Sequence, residues 1–478
     1  MKKNDISEAL GALDEKFISE SSPAKKKVNR KAIAWSSIIA AVLVIAVGIG
    51  AIFGGGTNNP LIIEAHAVYE AEYPKTVPYP KVGLFGVPSE KGYDAWNESR
   101  RERSKFYGAG KGLEAFFEKS TAEFLSGAGD KNVVYSPLNV YMALAMLAEM
   151  TDGDSRAQIL SLIGAKDIDS LREQAHAIWN ANYSDDGAVT SILASSLWMN
   201  KDINFNENTL KTLAKKYYAS SFKGTMGSAD YTKAFQNWLN KQTGGLLKDQ
   251  INGLELDPET VLALATTIYY RAKWDGEFSK SETTKDVFHS ATGDVTCDFM
   301  HQTQTFGTYY WGDNFSAAAK SIEGSGSMMF ILPDEGITPE QLLSDAQAVT
   351  FMFSRQGYEN HKSIKINMAV PKFDVNSKAD LIDGLKNLGV NDVFSIIKSD
   401  FSPLTSDATA YVNKVEHGAR VAIDEEGVVA AAYTAMMLAG SPMPPEDEVD
   451  FVLDRPFIFI LTGIDGLPLF VGIVNNVN

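Results

Sequence analysis

The sequence predicts an α+β protein, because it contains both long strands and strongly apolar helices. From Tyr411 to Ile423 apolar and polar residues alternate almost strictly, which is the pattern of a half-buried strand. The run from Val261 to Trp274 is apolar nearly throughout, and this is typical of a strand buried on both faces. Residues 138–144 are apolar on nearly all sides of a helix, which indicates a buried helix.

The composition suits a globular protein and argues against binding to nucleic acid. Hydrophobic residues make up 45% of the 478-residue chain, and its formal net charge is −16, whereas a nucleic-acid-binding protein needs a basic patch. The single cysteine, Cys297, alternates with Val295 and Phe299 on an apolar face. We therefore expect a buried structural thiol and no internal disulfide.

The first 53 residues carry the signals of a membrane-anchored N-terminus. Residues 1–31 begin with a capping-box pattern at Asp5 and predict a short amphipathic helix, which either docks on the membrane or on a cytoplasmic partner, or has no partner. After a basic cluster, the 22 residues from Ala32 to Phe53 are uncharged, and as a helix they would span about 33 Å, enough for a hydrocarbon core of ~30 Å. We therefore expect a cytoplasmic tail at 1–31, a transmembrane helix (a signal-anchor) at 32–53, and everything beyond it outside the cytoplasm.

The apolar span has a second interpretation, and the residues that follow it predict a linker. A cleaved signal peptide is the alternative, but its apolar core would span only ~7–15 residues, so an uncleaved anchor is favoured. Residues 54–110 combine clustered Gly and repeated Pro with weak periodicity. They predict a semi-extended, extracytoplasmic linker that holds the next domain away from the membrane.

Near the C-terminus, a turn is followed by an unusual strand and then by an exposed loop. The turn is Glu425-Glu426-Gly427, and the run from Val428 to Ala435 is made mostly of small residues, unlike an ordinary core strand. The Pro- and Gly-bearing stretch from Met436 to Pro445 belongs at the surface. A small-residue strand is thus tethered to a loop that a protease can reach.

This stretch closely resembles the hinge and reactive loop of the serpins, and the resemblance runs from Lys111 to Asn478. Further matches, in family order, are residues 132–144 around Ser136-Pro137, Asn237 to Gly245, Val261 to Trp274, Met328 to Pro333, Val370 to Phe373, Asp400 to Ser402, and the closing hairpin Pro456–Ile464 with Pro468–Val474. The resemblance implies a serpin domain at 111–478, in a membrane-anchored, bacterial-type member. It also implies a large central, mostly antiparallel sheet, further sheets, about eight or nine helices and an exposed reactive loop.

The resemblance implies a suicide-substrate inhibitor of an extracellular serine protease, not an enzyme. The cleaved loop carries the acyl-enzyme with it when the hinge inserts into the central sheet as a new strand. The residues of this hinge are Glu425, Glu426, Gly427, Val428, Val429, Ala430, Ala431, Ala432 and Thr434. After insertion Val428, Ala430, Ala432 and Thr434 would face the core, whereas Val429, Ala431 and Tyr433 would face outward, where bulk is tolerated.

The scissile bond is expected among Ala439, Gly440, Ser441 and Pro442. The usual loop length leads to Ser441-Pro442, but proline after the bond is poorly cleaved, so Gly440-Ser441 and Ala439-Gly440 are better candidates. Their small side chains fit a shallow specificity pocket, as in elastase or subtilisin. A trypsin-like target is disfavoured, because no Lys or Arg occurs between Glu426 and Arg455.

The resemblance also assigns residues that lock the central sheet before insertion. At its lower centre, Ser136 and His417 match the family's hydrogen-bonded serine and histidine, whereas Thr266 stands where asparagine is usual and Asn139 where serine is usual. The network is either rebuilt with exchanged partners or weaker. At the top of the sheet, Lys372 matches the usual partner of Glu425 and would fix the hinge turn.

Other functions have little support in the sequence. Neither the Gly-x-Ser-x-Gly elbow nor the His-Glu-x-x-His zinc motif is present, and we expect no catalytic residues, no metal and no cofactor. The expected partners are a serine protease with small-residue specificity and the membrane, through one N-terminal helix, with a monomeric protein and no nucleic acid. The alternative function is a non-inhibitory binding protein with the serpin fold. The expected location is the cell membrane, with a single pass and the serpin domain outside the cytoplasm.

Overall fold

The computed structural model describes residues 39–49, 66–80, 90–355, 357–427 and 445–477. The predicted cytoplasmic tail at 1–31 lies outside these ranges. So do the scissile-bond candidates Ala439, Gly440, Ser441 and Pro442, and the hinge residues from Val428 to Thr434.

Helices and strands alternate through the described residues. The helices are α1 (Glu90–Ser104), α2 (Glu114–Leu125), α3 (Pro137–Met150), α4 (Gly153–Leu162), α5 (Ile168–Asn182), α6 (Glu207–Tyr217), α7 (Ala229–Gln242), α8 (Lys248–Ile251), α9 (Pro339–Leu343), α10 (Ala346–Phe353) and α11 (Ile382–Asn387), with a 3₁₀ helix at Asp392–Phe394. The strands are β1 (Ile39–Ile49), β2 (His66–Tyr69), β3 (Val133–Tyr135), β4 (Ser184–Asp185), β5 (Thr190–Asn200), β6 (Ala219–Gly224), β7 (Thr260–Arg271), β8 (Thr284–Ser290), β9 (Gly293–Trp311), β10 (Phe315–Ser321), β11 (Ser327–Pro333), β12 (His361–Pro371), β13 (Phe373–Asp380), β14 (Ala410–Ile423), β15 (Glu448–Val452), β16 (Phe457–Thr462) and β17 (Pro468–Val474).

The strands form two sheets. The central sheet has the order β13-β14-β1-β7-β5-β6-β2, with β4 paired to β5. The second sheet has the order β15-β12-β9-β10-β11-β16-β17-β3, with β8 paired to β9. Every pairing is antiparallel except β5 with β6 and β12 with β15. The α+β class and the mostly antiparallel central sheet are confirmed.

The helix inventory differs somewhat from the expected eight or nine. The described residues contain eleven α-helices, of which α8, α9 and α11 are only four to six residues long. Helices this short have too few turns to show a 3.6-residue period. The longest buried helix, α3, is buried at every position from Pro137 to Met150, as its apolar character predicts.

Two apolar clusters cover the two faces of the central sheet. The larger one includes α3 and the second sheet, and it also contains the buried thiol of Cys297, as predicted. Burial raises the pKa of this thiol to about 11, which makes it unreactive at neutral pH. The smaller cluster packs α7 and α8, through residues such as Phe235 and Ile251, against the opposite face.

Residues 39–49 form a strand, whereas the sequence predicts a transmembrane helix at 32–53. They make β1, which pairs along its length with β14 on one side and with β7 on the other. Within the described part of the chain, no helix combines the length and the apolar character that crossing a membrane requires. An uncharged run rich in Val, Ile and Ala fits a doubly buried strand as well as a lipid-exposed helix, so periodicity alone could not separate the two.

The described parts of the predicted linker pack against the domain. Strand β2 joins the edge of the central sheet beside β6, and α1 buries Trp96. The Trp96 indole Nε1 donates to Asp186 Oδ2 at 2.9 Å, and the Tyr73 ring contacts the ring of Trp179 with centroids 5.4 Å apart. The prediction of a semi-extended stalk is therefore wrong for residues 66–80 and 90–104. The Gly and Pro content does not reveal that the aromatic residues Tyr73 and Trp96 bury apolar area against the domain.

Candidate functional site

The candidate site is the space between β7 and β14, which we call the central lane. At its upper end, Gly427 forms antiparallel bridges with Asp424, just after β14, and with Lys273, just beyond β7. The first residue of the hinge strand therefore already lies between the two walls. Further down the same lane lies β1.

The hinge turn is fixed to the segment that follows β7. The Trp274 indole Nε1 donates to the Asp424 carbonyl at 2.9 Å, and the Phe278 N–H donates to the Glu425 carbonyl at 2.9 Å. Gly427 has φ +85°, a conformation that favours glycine. An added Cβ would lie 2.2 Å from the Trp274 backbone nitrogen, so no larger residue fits without moving the turn.

Glu425 makes the charge pair that the resemblance implies. Its Oε1 accepts hydrogen bonds from Lys372 Nζ at 2.6 Å and from Thr283 Oγ1 at 2.8 Å, with the Glu425 side chain 7% exposed. Burial raises the pKa of Glu425, but the hydrogen bonds from Lys372 and Thr283 outweigh burial and hold this pKa below its ordinary value. The neighbouring Glu426 pairs with Lys280 at the surface. Each of the two glutamates of the turn thus pairs with a lysine.

At the centre of the sheet, Ser136 and His417 meet as expected. The Ser136 N–H donates to His417 Nε2 at 3.1 Å, and the Ser136 hydroxyl donates to the Leu469 carbonyl at 2.6 Å. Pro137 begins α3 directly after Ser136, and its fixed φ suits a first helical residue. The Tyr135 ring packs edge-on against the imidazole, with centroids 5.6 Å apart. These contacts tie α3, β14 and β17 together.

The other two predicted locking residues contribute less. Asn139 Nδ2 donates to the Thr266 backbone carbonyl at a long 3.4 Å, and the Thr266 hydroxyl is buried without a hydrogen-bond partner. Thr266 and His417 do not pair, because Leu43 of β1 lies in register between them. Of the two predicted alternatives, the structure has the weaker network.

His417 is held neutral in this arrangement. Burial lowers the pKa of His417 to about 3, and the Val42 backbone opposes this shift only in part. Its Nδ1 atom has no well-formed hydrogen bond. A buried imidazole and a buried hydroxyl, both incompletely satisfied, therefore face the central lane from opposite walls.

Three residues of this site are not predicted from the sequence. Leu43 lies in the predicted membrane span, so the sequence does not place it in the sheet. Trp274 was recognised only as the end of a strand, and Thr283 lies in a polar stretch without a pattern. The indole N–H of Trp274 was the one available signal, because a buried indole usually finds an acceptor.

This geometry defines a protein whose hinge turn lies at the upper end of a lane in the central sheet. A family model described as serpin (serine protease inhibitor) matches residues 115–477. The chain belongs to the serpin family. It is 29% identical to α-1-antitrypsin of Meriones unguiculatus over 72% of this chain and 84% of that protein. It is 27% identical to the human leukocyte elastase inhibitor, over 71% and 92% of the two chains.

Solved structures show the same fold. The thermophilic serpin tengpin in its native state superposes with a TM-score of 0.67 at 22% identity, covering 87% of this chain and all of tengpin. Human thyroxine-binding globulin, solved as a complex with thyroxine, superposes with a TM-score of 0.65 at 20% identity, covering 78% and 99% of the two chains. At these identities the similarity establishes the fold alone.

Proposed function

We propose that this protein inhibits an extracellular serine protease by trapping its acyl-enzyme. Cleavage of the reactive loop would let the hinge enter the central lane as a new strand and carry the enzyme along. The observation that supports this most is the position of Gly427, bridged to both walls of the lane. The hinge starts in the lane that it would enter, and an inhibitory mechanism requires this.

The register of insertion follows from these two bridges. Each step forward along the hinge is one step back along β14 and one step back along β7. Ala430 would then lie between Val421 and Tyr270, and both walls give this alignment independently. Val421 and Tyr270 are fully buried and belong to the larger apolar cluster, so Ala430 would face the core, as the sequence predicts.

In the same register the opposite face of the hinge would not be exposed. Ala431 and Tyr433 would take the lane positions that Ala40 and Val42 occupy in β1, which are 0% and 4% exposed. This face is covered by α7 and α8, so it is not outward at these positions. A large side chain fits at these positions only if helices α7 and α8 move.

The position that Thr434 would take after insertion also supports the mechanism. In this register it would lie between His417 and Thr266, in the position that Leu43 now has. Both neighbours have a buried polar atom without a good partner, and a threonine hydroxyl can both donate and accept. The inserted hinge would give the Thr266 hydroxyl a partner that β1 does not supply, and it would replace the poorly formed contact between the Val42 backbone of β1 and His417.

The proposed target is a protease with a shallow specificity pocket, of the elastase or subtilisin type. Support comes from the small residues Ala439, Gly440 and Ser441 around the expected bond, and from the absence of Lys and Arg between Glu426 and Arg455. One relative carries the name leukocyte elastase inhibitor. A small residue before the bond suits such a pocket.

The test is whether a covalent complex forms. The full chain, and a chain that begins at Gly54 and therefore lacks β1, are incubated with an elastase-like protease and analysed on a denaturing gel. We expect the chain without β1 to give a denaturant-stable band at the summed mass of the two proteins. Cleavage of both chains in the loop, without any such band, would refute the inhibitory mechanism.

A non-inhibitory binding protein is the second candidate, favoured by one specific observation. The central lane is filled by β1, and a sheet whose lane stays filled cannot accept the hinge. One structural neighbour is a binding globulin solved as a complex with thyroxine. This candidate predicts cleavage without trapping in the same assay.

We also propose that the domain lies outside the cytoplasm and that residues 32–53 can hold it at a membrane. The support is the uncharged stretch of 22 residues after a basic cluster. This requires residues 39–49 to leave the sheet and become helical. Protease added to intact cells should remove the domain and leave the tail, whereas a protected domain would contradict the topology.

A further inference from the structure

The strand β1 fills the central lane with a segment that is remote in sequence from both neighbours. It runs antiparallel to β14 and to β7, and Ile39 pairs with Val421 on one wall and with Tyr270 on the other. None of its described side chains, from Ala40 to Ala46, is more than 8% exposed. An inserted hinge would need the same pairing positions, so β1 and the hinge exclude each other.

The walls of the lane do not match this occupant at its centre. Thr266 Oγ1 is buried without a hydrogen bond, and the Val42 backbone of β1 gives His417 only a poorly formed one. Leu43 lies in register between Thr266 and His417. A leucine side chain can neither donate nor accept. The central positions of the two walls are therefore suited to another arrangement, either a closed sheet in which Thr266 approaches His417 or a strand with a hydroxyl at this point.

We propose that residues 39–49 are a displaceable plug of the central sheet, which keeps the inhibitor inactive until the plug leaves. This inference concerns the regulation of the proposed inhibitory function and rests on it. With the plug in place, a cleaved loop has no lane to enter, and the protein is a substrate of its protease. With the plug withdrawn, the hinge can insert.

The segment needs another apolar environment when it leaves the sheet. The uncharged run from Ala32 to Phe53 is long enough to span a bilayer as a helix, so the lipid phase can compete with the sheet for it. The two locations are mutually exclusive for the same residues. Insertion of the anchor into a membrane therefore releases the lane, and the inhibitor becomes active only where it is anchored.

Occupancy of the lane is tested by cross-linking in the full chain. Ala41 and Ala419 are register partners and both are fully buried, and cross-strand partners lie within the Cα distance that a disulfide requires. The variant Ala41→Cys with Ala419→Cys should form a disulfide under mild oxidation in detergent-free buffer. The matched control, Ala41→Cys with Val415→Cys, lies four residues out of register and should not.

The cross-linking result decides whether the plug exists. The native thiol of Cys297 is buried and has a raised pKa, so it should not compete for the engineered thiols. Cross-linking of the in-register pair alone supports the plug. Equal cross-linking of both pairs, or of neither, overturns it.

The consequence of plugging is tested with the same in-register variant in phosphatidylglycerol vesicles. Samples are oxidised before reconstitution or kept reduced, and both are exposed to an elastase-like protease. We expect the reduced sample to form the covalent complex and the oxidised sample to form roughly tenfold less, because the locked lane cannot accept the hinge. Equal yields in the two samples would overturn the inference.

The two proposals fail in different ways. If neither vesicle sample traps the protease but the chain that begins at Gly54 does, the plug is supported, because removing it restores trapping. If that shorter chain unfolds cooperatively in urea and still fails to trap, the inhibitory function is refuted. The cross-linking register, which needs no protease, then still decides whether residues 39–49 occupy the lane.

Discussion

Replacing Ala430 with Asp should convert the protein from an inhibitor into a substrate. The register from Gly427 puts residue 430 between Val421 and Tyr270, both of which are 0% exposed. A carboxylate in such a site has its pKa raised by about 3–5 units, and each unit corresponds to about 1.36 kcal/mol. At neutral pH insertion would therefore cost about 4 kcal/mol more, because the Asp would be buried protonated, about three pH units above its ordinary pKa.

The matched control for this change is Val429→Asp. In the same register residue 429 would lie between Ala422 and Arg271, on the opposite face and near the upper end of the lane. Arg271 is half-buried, so its guanidinium can pair with an introduced carboxylate. The family places a glutamate at this position, according to the resemblance. We expect the control to retain most of its trapping.

The assay is a titration of an elastase-like protease with each variant, in the form of the chain that begins at Gly54. It measures how many inhibitor molecules are consumed for each protease trapped. Slower insertion allows the acyl-enzyme to hydrolyse first, so this number should rise at least about tenfold for Ala430→Asp, which corresponds to only 1.4 kcal/mol in the competing barriers. Unchanged stoichiometry for Ala430→Asp, or an equal loss in the control, would refute this register.

Three further changes test the hinge turn and the loop. Gly427→Ala should lower the free energy of unfolding by at least about 1–2 kcal/mol, because of the left-handed φ and the contact with Trp274; an unchanged urea midpoint would contradict the turn geometry. The lowered pKa of Glu425 contributes stability that is full above its unfolded pKa and is lost as pH falls through its folded pKa, so Glu425→Gln should flatten the acid limb of a stability–pH profile; an unchanged profile would show that the pair with Lys372 contributes nothing. Gly440→Arg should make the loop a trypsin substrate that is cut after residue 440. N-terminal sequencing of the released fragment measures the position of the cut, and cleavage elsewhere would exclude the bond after residue 440.

Elements with a single stable environment could be predicted from the sequence. The alternation in Tyr411–Ile423 predicts β14 to within one residue, and the apolar run from Val261 gives β7 and its burial. The charge pair between Lys372 and Glu425 was predicted by resemblance and is present. These residues have both a local pattern and a family position, and the two agree.

The prediction failed where the physical signal suits two environments. An uncharged run of Val, Ile and Ala is favourable in lipid and in the interior of a sheet, and nothing within the run itself separates the two. The stretch before residue 110 failed for a different reason. Its Gly and Pro residues indicated a linker, but Tyr73 and Trp96 bury aromatic area against the domain. Composition averaged over a segment conceals a few such anchors.

Leu43 occupies the centre of the plug, between Thr266 and His417, and its replacement tests whether the lane is suited to a hydroxyl. If the walls of the lane are built for a hydroxyl at their centre, a hydroxyl introduced into β1 should find partners there. Leu43→Thr and Leu43→Val remove nearly the same volume, so their difference isolates the hydroxyl. In an ordinary apolar core the threonine would be less stable by about 1–3 kcal/mol, because its hydroxyl would be buried without a partner.

Here the order of the two variants should be reversed. Cross-strand neighbours have Cβ atoms about 4.5–5.5 Å apart, so the new hydroxyl can reach Thr266 Oγ1 on one wall and His417 Nδ1 on the other. The Thr266 hydroxyl would gain a partner, and His417 would gain a better one than the Val42 backbone. Leu43→Thr should therefore unfold at higher urea than Leu43→Val, with a smaller fraction of trapped protease because the plug is held more firmly. Should Leu43→Thr be the less stable of the two, the unsatisfied atoms of Thr266 and His417 do not face the lane together. The hinge would then gain no hydrogen bond through Thr434 when it replaces the plug.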